Sequence, residues 1–377
     1  MKAKSINGTS IEEIKTALEV SMSDGFRPTL AIALVSIHQN RMEIAKLLGD
    51  ADIRVFGATT NGSFIDENVD REGAAIMLID LNPDYFTILF EEYPNKDYRE
   101  VARSLAKKTL EKFPSPAFLI AGSHPETDAE QLLFGFEDII GKKVNIHGCM
   151  AGDDFTFSEQ FVFTGQWDSN CGVVVLAFDE AKIKIRGRAT CGWHAVGTVR
   201  EVTKSEGNHV YTVDNIPVLD LTAKYGGLNL TESLDFPVEV ASRFPLQLQR
   251  QEGDPVMRPG LMIDWSDRSF YCSDSVPQGS KVRFSLPPDF DVIDKVIQGC
   301  EELKATEMPE ADALIIFSCA GRFITLGPLI NDEIGGMHKV WNVPMAGMFS
   351  NGELARATGG NLEMHNLTTV CIAMKEN

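Results

Sequence analysis

Apolar positions along the chain fall into one order of periods, and that order comes round three times. Ile11, Ile14, Leu18 and Met22 share a helical face behind Ser10 and Glu13, the two ends of a capping box, so residues 10–25 read as a helix. Residues 30–37 are an apolar run, which predicts a strand covered on both faces. A helix over 41–48, a strand over 53–57, a polar reversal and a further apolar strand over 74–79 complete the set. The succession returns with a helix over 98–113 (stopped by Pro114 and Pro116), a strand over 117–121, a helix over 128–140 and a strand over 144–148. An alternating, half-exposed excursion over 155–167 then precedes a strand over 173–178. A third round occupies 292–303, 313–317, 326–334 and 343–347, reverses at Gly359-Gly360 and ends on 369–374. Three recurrences predict one structural unit used repeatedly.

Residues 181–287 follow a different rhythm. Strands are expected over 183–189, 197–202, 210–213 and 281–286, with a short helix over 217–225. Residues 260–264 and 269–273 flank Trp265-Ser266-Asp267-Arg268 as a hairpin. The fold class expected is therefore mixed α/β. Helix–strand–helix–strand–hairpin–strand units form layered sandwiches, with a β-rich segment in the middle. Two domains are expected, 1–205 holding two units and 206–377 holding the β-rich segment and the third. No linker composition separates them, so the halves should pack together.

Composition narrows the function classes. A net charge of −19 opposes binding to nucleic acid, which draws its affinity from Lys and Arg on phosphates, and opposes docking on anionic lipid. No apolar run reaches the ~18–20 residues that span a bilayer, and the first residues carry no secretory h-region. A cytoplasmic location and no membrane insertion are the expectation. The seven cysteines are scattered, odd in number and without a CxxC pair, which fits neither a disulfide framework nor a zinc site. No histidine pair has HxxxH or HExxH spacing, so protein-ligated zinc is not expected. Haem needs one axial histidine and stays open.

The candidate chemistry lies at the glycine turns that end one strand of each unit. Gly57-Ala58-Thr59-Thr60-Asn61-Gly62 and Gly347-Met348-Phe349-Ser350-Asn351-Gly352 each bracket four residues; Gly148-Cys149-Met150-Ala151-Gly152 is shorter by one. Glycine here serves turn geometry and close backbone approach, or else a rim of exposed N–H groups able to hold a carboxylate. Neither a Gly-Lys-Ser/Thr P-loop nor a GxGxxG is present. Strand ends face ligand crevices in α/β sheets, so Cys319-Ala320-Gly321-Arg322 and Phe349 to Glu353 are expected to share one pocket. Arg322 suits a carboxylate and Glu353 an ammonium, together a zwitterion such as an amino acid; the alternative is a structural pair of the two with each other. Cys319 and His365 are a candidate thiol–imidazole pair.

In this order, Phe317-Ser318-Cys319-Ala320-Gly321-Arg322, Val343-Pro344 to Gly347, Gly352-Glu353 and His365-Asn366 resemble the carboxy-terminal FIST domain. Gly57-Ala58-Thr59-Thr60-Asn61-Gly62 resembles the turn of the amino-terminal FIST domain, and Arg258-Pro259-Gly260 to Pro277-Gln278-Gly279 fits the region between them. Asn61 departs from the small residue usual at its place. The resemblance implies a FIST N-like domain over 1–205 and a FIST C-like domain over 206–377. It implies a stand-alone sensory module rather than an enzyme, binding a small ligand such as an amino acid and passing its signal to a partner such as a sensor kinase. Some relatives are haem-binding nitric-oxide sensors, the alternative reading, and a thiol enzyme using Cys319 is a third. The site expected comprises Arg322, Glu353, Cys319, Phe349, Ser350, Asn351, His365 and Asn366, with Thr59 and Thr60 from the first turn.

Overall fold

The computed structural model of the chain describes residues 1–123, 126–230, 242–286 and 289–377. Among these residues the strands form four sheets. Three are built alike. Leu30–Ser36 runs parallel to Arg54–Thr60 and antiparallel to Ala74–Asp80. Pro116–Gly122, Asn145–Met150 and Gly172–Asp179 repeat that arrangement, as do Ala313–Cys319, Met345–Ser350 and Thr369–Glu376. The mixed α/β class and the threefold repetition expected from the pattern are both present.

An additional antiparallel strand lies outside each set: Lys2–Gly8, Phe86–Glu92 and Ile183–Thr190. The first two were not expected, and the third was assigned to the β-rich middle. All three are edge strands with half-exposed residues, so their alternation is blurred. The third unit thus begins at Ile183, and the material from 195 to 286 is inserted between its first strand and its Asp291–Thr306 helix. That insert forms an eight-stranded sheet with its own core of Val202, Val213, Leu219, Phe270 and Phe284 beside the Val218–Gly226 helix. The expected boundary at 205 falls within the Ala195–Glu206 strand. Residue 287, the last of the expected β-rich stretch, lies outside the described residues.

Alternation along the strands explains how the three sheets associate. Leu30, Ile32 and Leu34 point to a core shared with Leu119, Leu176, Ile315, Phe317 and Met374 of the other two units. Ala31, Ala33 and Val35 point the other way, against Ile14, Leu18, Ile44 and Leu48 of the first unit's helices. The other units bury their outer faces likewise beneath Leu105, Leu132 and Phe136, or Leu303, Ile334 and Met337. Three sheets therefore enclose one central core, and helices cover their outer faces. This is why the strands read as continuous apolar runs.

Each unit's hairpin pairs with a neighbouring unit rather than its own. Ser63–Ile65 of the first unit joins Met345–Ser350 of the third. Gly352–Arg356 of the third joins Asn145–Met150 of the second, and Val162–Phe163 of the second joins Arg54–Thr60 of the first. The exchange closes a ring. It also accounts for the first glycine of two of the turn motifs. Gly57 faces Phe163 and Gly347 faces Phe64, in each case across the exchanged pairing, and a Cβ at either glycine would overlap the opposing ring.

Candidate functional site

The three turns meet at one end of the central core. The Asn61 N–H donates to the Phe349 carbonyl (3.0 Å), the Asn351 N–H to Met150 (3.1 Å) and the Gly152 N–H to Thr59 (2.7 Å). Donor and acceptor occupy matching positions in every unit, so the bonds form a closed cycle. Asn61 fills its centre. Its Nδ2 donates to Asn351 Oδ1 (2.8 Å) and the Phe349 carbonyl (3.2 Å), while its Oδ1 accepts from the N–H groups of Asp153 (3.1 Å) and Phe155 (2.9 Å). Gly152 packs against that side chain so closely that a Cβ would overlap it. Asn61, read from sequence as a departure from pattern, is thus the residue that ties the turns together. Thr59 and Thr60 serve the same junction: the Thr59 hydroxyl bonds to the Phe161 backbone and that of Thr60 to the Gly62 carbonyl. Both are buried.

Arg322 and Glu353 do not face each other across an open cleft, as was expected. Both are fully buried. Arg322 pairs through two nitrogens with Glu333, Nε to Oε1 at 3.1 Å and Nη2 to Oε2. Its Nη1 donates to the carbonyls of Cys191 (2.6 Å) and Leu367 (3.0 Å), and its guanidinium lies over the Trp193 ring. The structural partner is therefore Glu333, on the Ile330–Trp341 helix, and not Glu353. Sequence reasoning missed Glu333 because it sits among ordinary acidic positions on a helix; its one signal is the helical spacing that places it on the buried face with Ile330, Ile334 and Met337. Glu353 accepts from Ser350 Oγ (2.7 Å), and burial pushes its carboxyl well above the usual carboxylate range.

Four of the expected residues, Cys319, Ser350, Asn351 and Asn366, do line one cleft, together with Phe155 and Phe157 of the second unit. That cleft measures about 50 Å³, room for a water or two and no more. Phe349 is buried against Phe64 and Phe323. Burial, reinforced by the Glu353 carboxyl, pushes the Cys319 thiol up, the opposite of what a nucleophile needs. His365 turns Nε2 to the Ala355 carbonyl (3.1 Å) and does not pair with Cys319; burial lowers its pKa to about 4. Alkylation of native protein by iodoacetamide should therefore leave Cys319 unmodified on a timescale at which denatured protein reacts fully. Peptide mapping that found Cys319 labelled as fast as a free thiol would reverse this assignment.

His365 instead opens on a larger cavity of about 330 Å³, on the far side of the Arg322 cluster. Cys191 and Trp193 come from the end of the third unit's first strand, Asp254 and Met257 from the inserted sheet, and Lys295 and Glu302 from the Asp291–Thr306 helix. Arg188 also reaches it and pairs with Glu302 (2.7 Å). Lys295 Nζ lies 3.2 Å from the His194 ring. The cavity thus offers both signs of charge above an aromatic and thioether floor.

Among the described histidines, His147 has neither ring nitrogen hydrogen-bonded; His124 lies outside the described residues. Haem needs a free imidazole nitrogen and two apolar faces for the porphyrin. His147 supplies the first, but its cavity is lined by Lys143, Arg186, Arg356, Glu180 and Glu307 and lacks the second. His365 has Nε2 engaged. These residues do not fit a haem. The described residues also bring together two groups of metal-ligating type, the exposed His194 with Asp289 and Asp291, and the buried His209 with the half-exposed Asp264 and the exposed Asp267.

Comparison with known families gives two adjoining matches: the FIST N domain over residues 29–216 and the FIST C domain over residues 219–356. No curated protein matches the chain.

Proposed function

The chain belongs to the FIST family, with its N and C domains in tandem, and from that premise we propose that it senses a small zwitterionic metabolite, such as an amino acid, bound in the cavity beside His365. FIST domains are sensory and signal-transduction modules. The observation that carries the reading is the cavity itself. Its volume of about 330 Å³ is in the range of small-molecule sites, whereas the cleft at the turns is several-fold too small. Its walls come from stretches matched by both domains, Arg188 to Trp193 from the first and Asp254 to Glu302 from the second. Lys295 and Arg188 suit a carboxylate, and Asp254 and Glu302 suit an ammonium. Charges on a ligand entering such a site need partners of this kind, since an unpaired buried ion costs several kcal/mol.

The location also suits signalling. A ligand held between the inserted sheet and the third unit binds best when the two are closed on it, so occupancy biases their arrangement. A partner such as a sensor kinase, in the cytoplasm, would read that bias. No helix among the described residues is long and apolar enough to cross a membrane.

A thermal-shift screen against amino acids and related zwitterions tests the proposal. A ligand present at 100 times its Kd adds about 2.7 kcal/mol to stability, which is readily seen as a higher Tm. Lys295→Ala and Asp254→Ala should each weaken the hit about tenfold or more. A ligand that stabilises both variants as well as it stabilises the parent protein binds elsewhere, and the assignment to this cavity then fails.

A further inference from the structure

The three units place Phe56, His147 and Ala346 at one equivalent position, opposite Ile32, Leu119 and Ile315 on the parallel neighbour. Phe56 and Ala346 are fully buried apolar residues of the central core. His147 is the exception, 5% exposed and with both ring nitrogens unpartnered. A buried polar group left unsatisfied costs about 1–3 kcal/mol, so a residue of this kind at a core position calls for something to bond to.

The ring faces a cavity of about 530 Å³ between the second unit's sheet and the Ile183–Thr190 strand. Gly187 of that strand admits the imidazole; a Cβ there would stand 2.8 Å from two of its ring atoms. Lys143, Arg186, Arg188 and Arg356 line the cavity against Glu180 and Glu307, four cations to two carboxylates, in a chain whose net charge is −19. Arg186 is engaged with Glu180 and Arg188 with Glu302. Arg356 gives one nitrogen to the Lys142 carbonyl and has its nearest carboxylate, Glu137, at 3.8 Å.

We propose that this basin is a second binding site, which takes a phosphate group. With Arg186 and Arg188 held by Glu180 and Glu302, Arg356 and Lys143 are left to face an anion in the basin. Arg356 and Lys143 supply charge not already neutralised, and the neutral His147 ring supplies an N–H donor. Burial together with Arg186 and Arg356 holds the His147 pKa down at about 3, which keeps the ring neutral until an anion arrives. The basin adjoins the cavity beside His365, sharing Arg188, Ala357 and Thr358 with it, but Lys143, His147 and Arg356 line the basin and not that cavity, so variants at these three test it apart from the proposed sensing function.

The probe is inorganic phosphate, titrated into protein with isotope-labelled histidine and followed by the ring resonances of His147. These should shift saturably, and the Lys143→Glu variant should bind at least about tenfold more weakly with an unchanged Tm. Arg356→Gln should weaken binding as well. A nucleoside monophosphate that binds about tenfold tighter than phosphate assigns the site to a phosphate ester; equal affinity assigns it to the free ion. Ring resonances that ignore phosphate, or a response that is the same in both variants, overturn the proposal. So does a Soret band on haem addition that His147→Ala abolishes.

Discussion

Asn61→Ala is expected to lower the stability of the protein by roughly 4 kcal/mol, a large effect for removing one uncharged side chain. The side chain is fully buried and makes four hydrogen bonds, two to the third unit's turn and two to the chain leaving the second unit's turn. Alanine leaves the Asp153 and Phe155 N–H groups without their acceptor, at about 1–3 kcal/mol for each that stays dry, and adds a cavity on the axis of the three units. Asn351→Ala, which takes away only one of those bonds, should cost about 1 kcal/mol. Urea unfolding decides the matter through the shift in midpoint at constant m-value. Equal and small losses in the two variants would mean that the backbone cycle alone holds the turns together.

Arg322→Met is expected to destabilise by about 3–5 kcal/mol, because it strands the Glu333 carboxylate in the interior and strips the Cys191 and Leu367 carbonyls of their donors. The double variant Arg322→Met/Glu333→Leu should recover much of this loss, since replacing both members of a buried pair by apolar groups is often neutral. A double-mutant cycle should return a coupling of at least about 2 kcal/mol. The two roles considered for Arg322 separate cleanly here. A ligand clamp would give a single variant of normal stability that no longer responds to the zwitterion. An architectural pair gives an unstable single variant and a double variant that still responds.

The corrections share a cause. Arg322 and Glu353 lie at the ends of successive strands of one unit, and the sequence says truthfully that they are close. It does not say that the glycine turn carries the chain out of its own sheet, so that Glu353 enters the second unit's sheet opposite Cys149. Nor does spacing show that Arg322 turns away toward Glu333. His365 was read as part of the same pocket, yet its strand position places it behind the Arg322 cluster, facing the insert. The sequence marks Asn61 as a departure from pattern but not as the link between the turns, and His147, a lone polar residue in an apolar strand, stands out only once the units are aligned in three dimensions.

What the chain alone determined is local. Runs such as 30–36 and 313–319, apolar on both faces, fix buried strands and the existence of three like units, because burial on two sides leaves no polar positions to alternate. The recurrence of the glycines is legible in the sequence as well; the rings that Gly57 and Gly347 make room for come only with the exchanged pairing. What only the tertiary structure decided is which sheet each hairpin joins, and with it where every polar side chain of the turns ends up. Backbone pairing is chemically alike for any partner strand, so the choice is made by the shape of the shared core and not by the residues that pair.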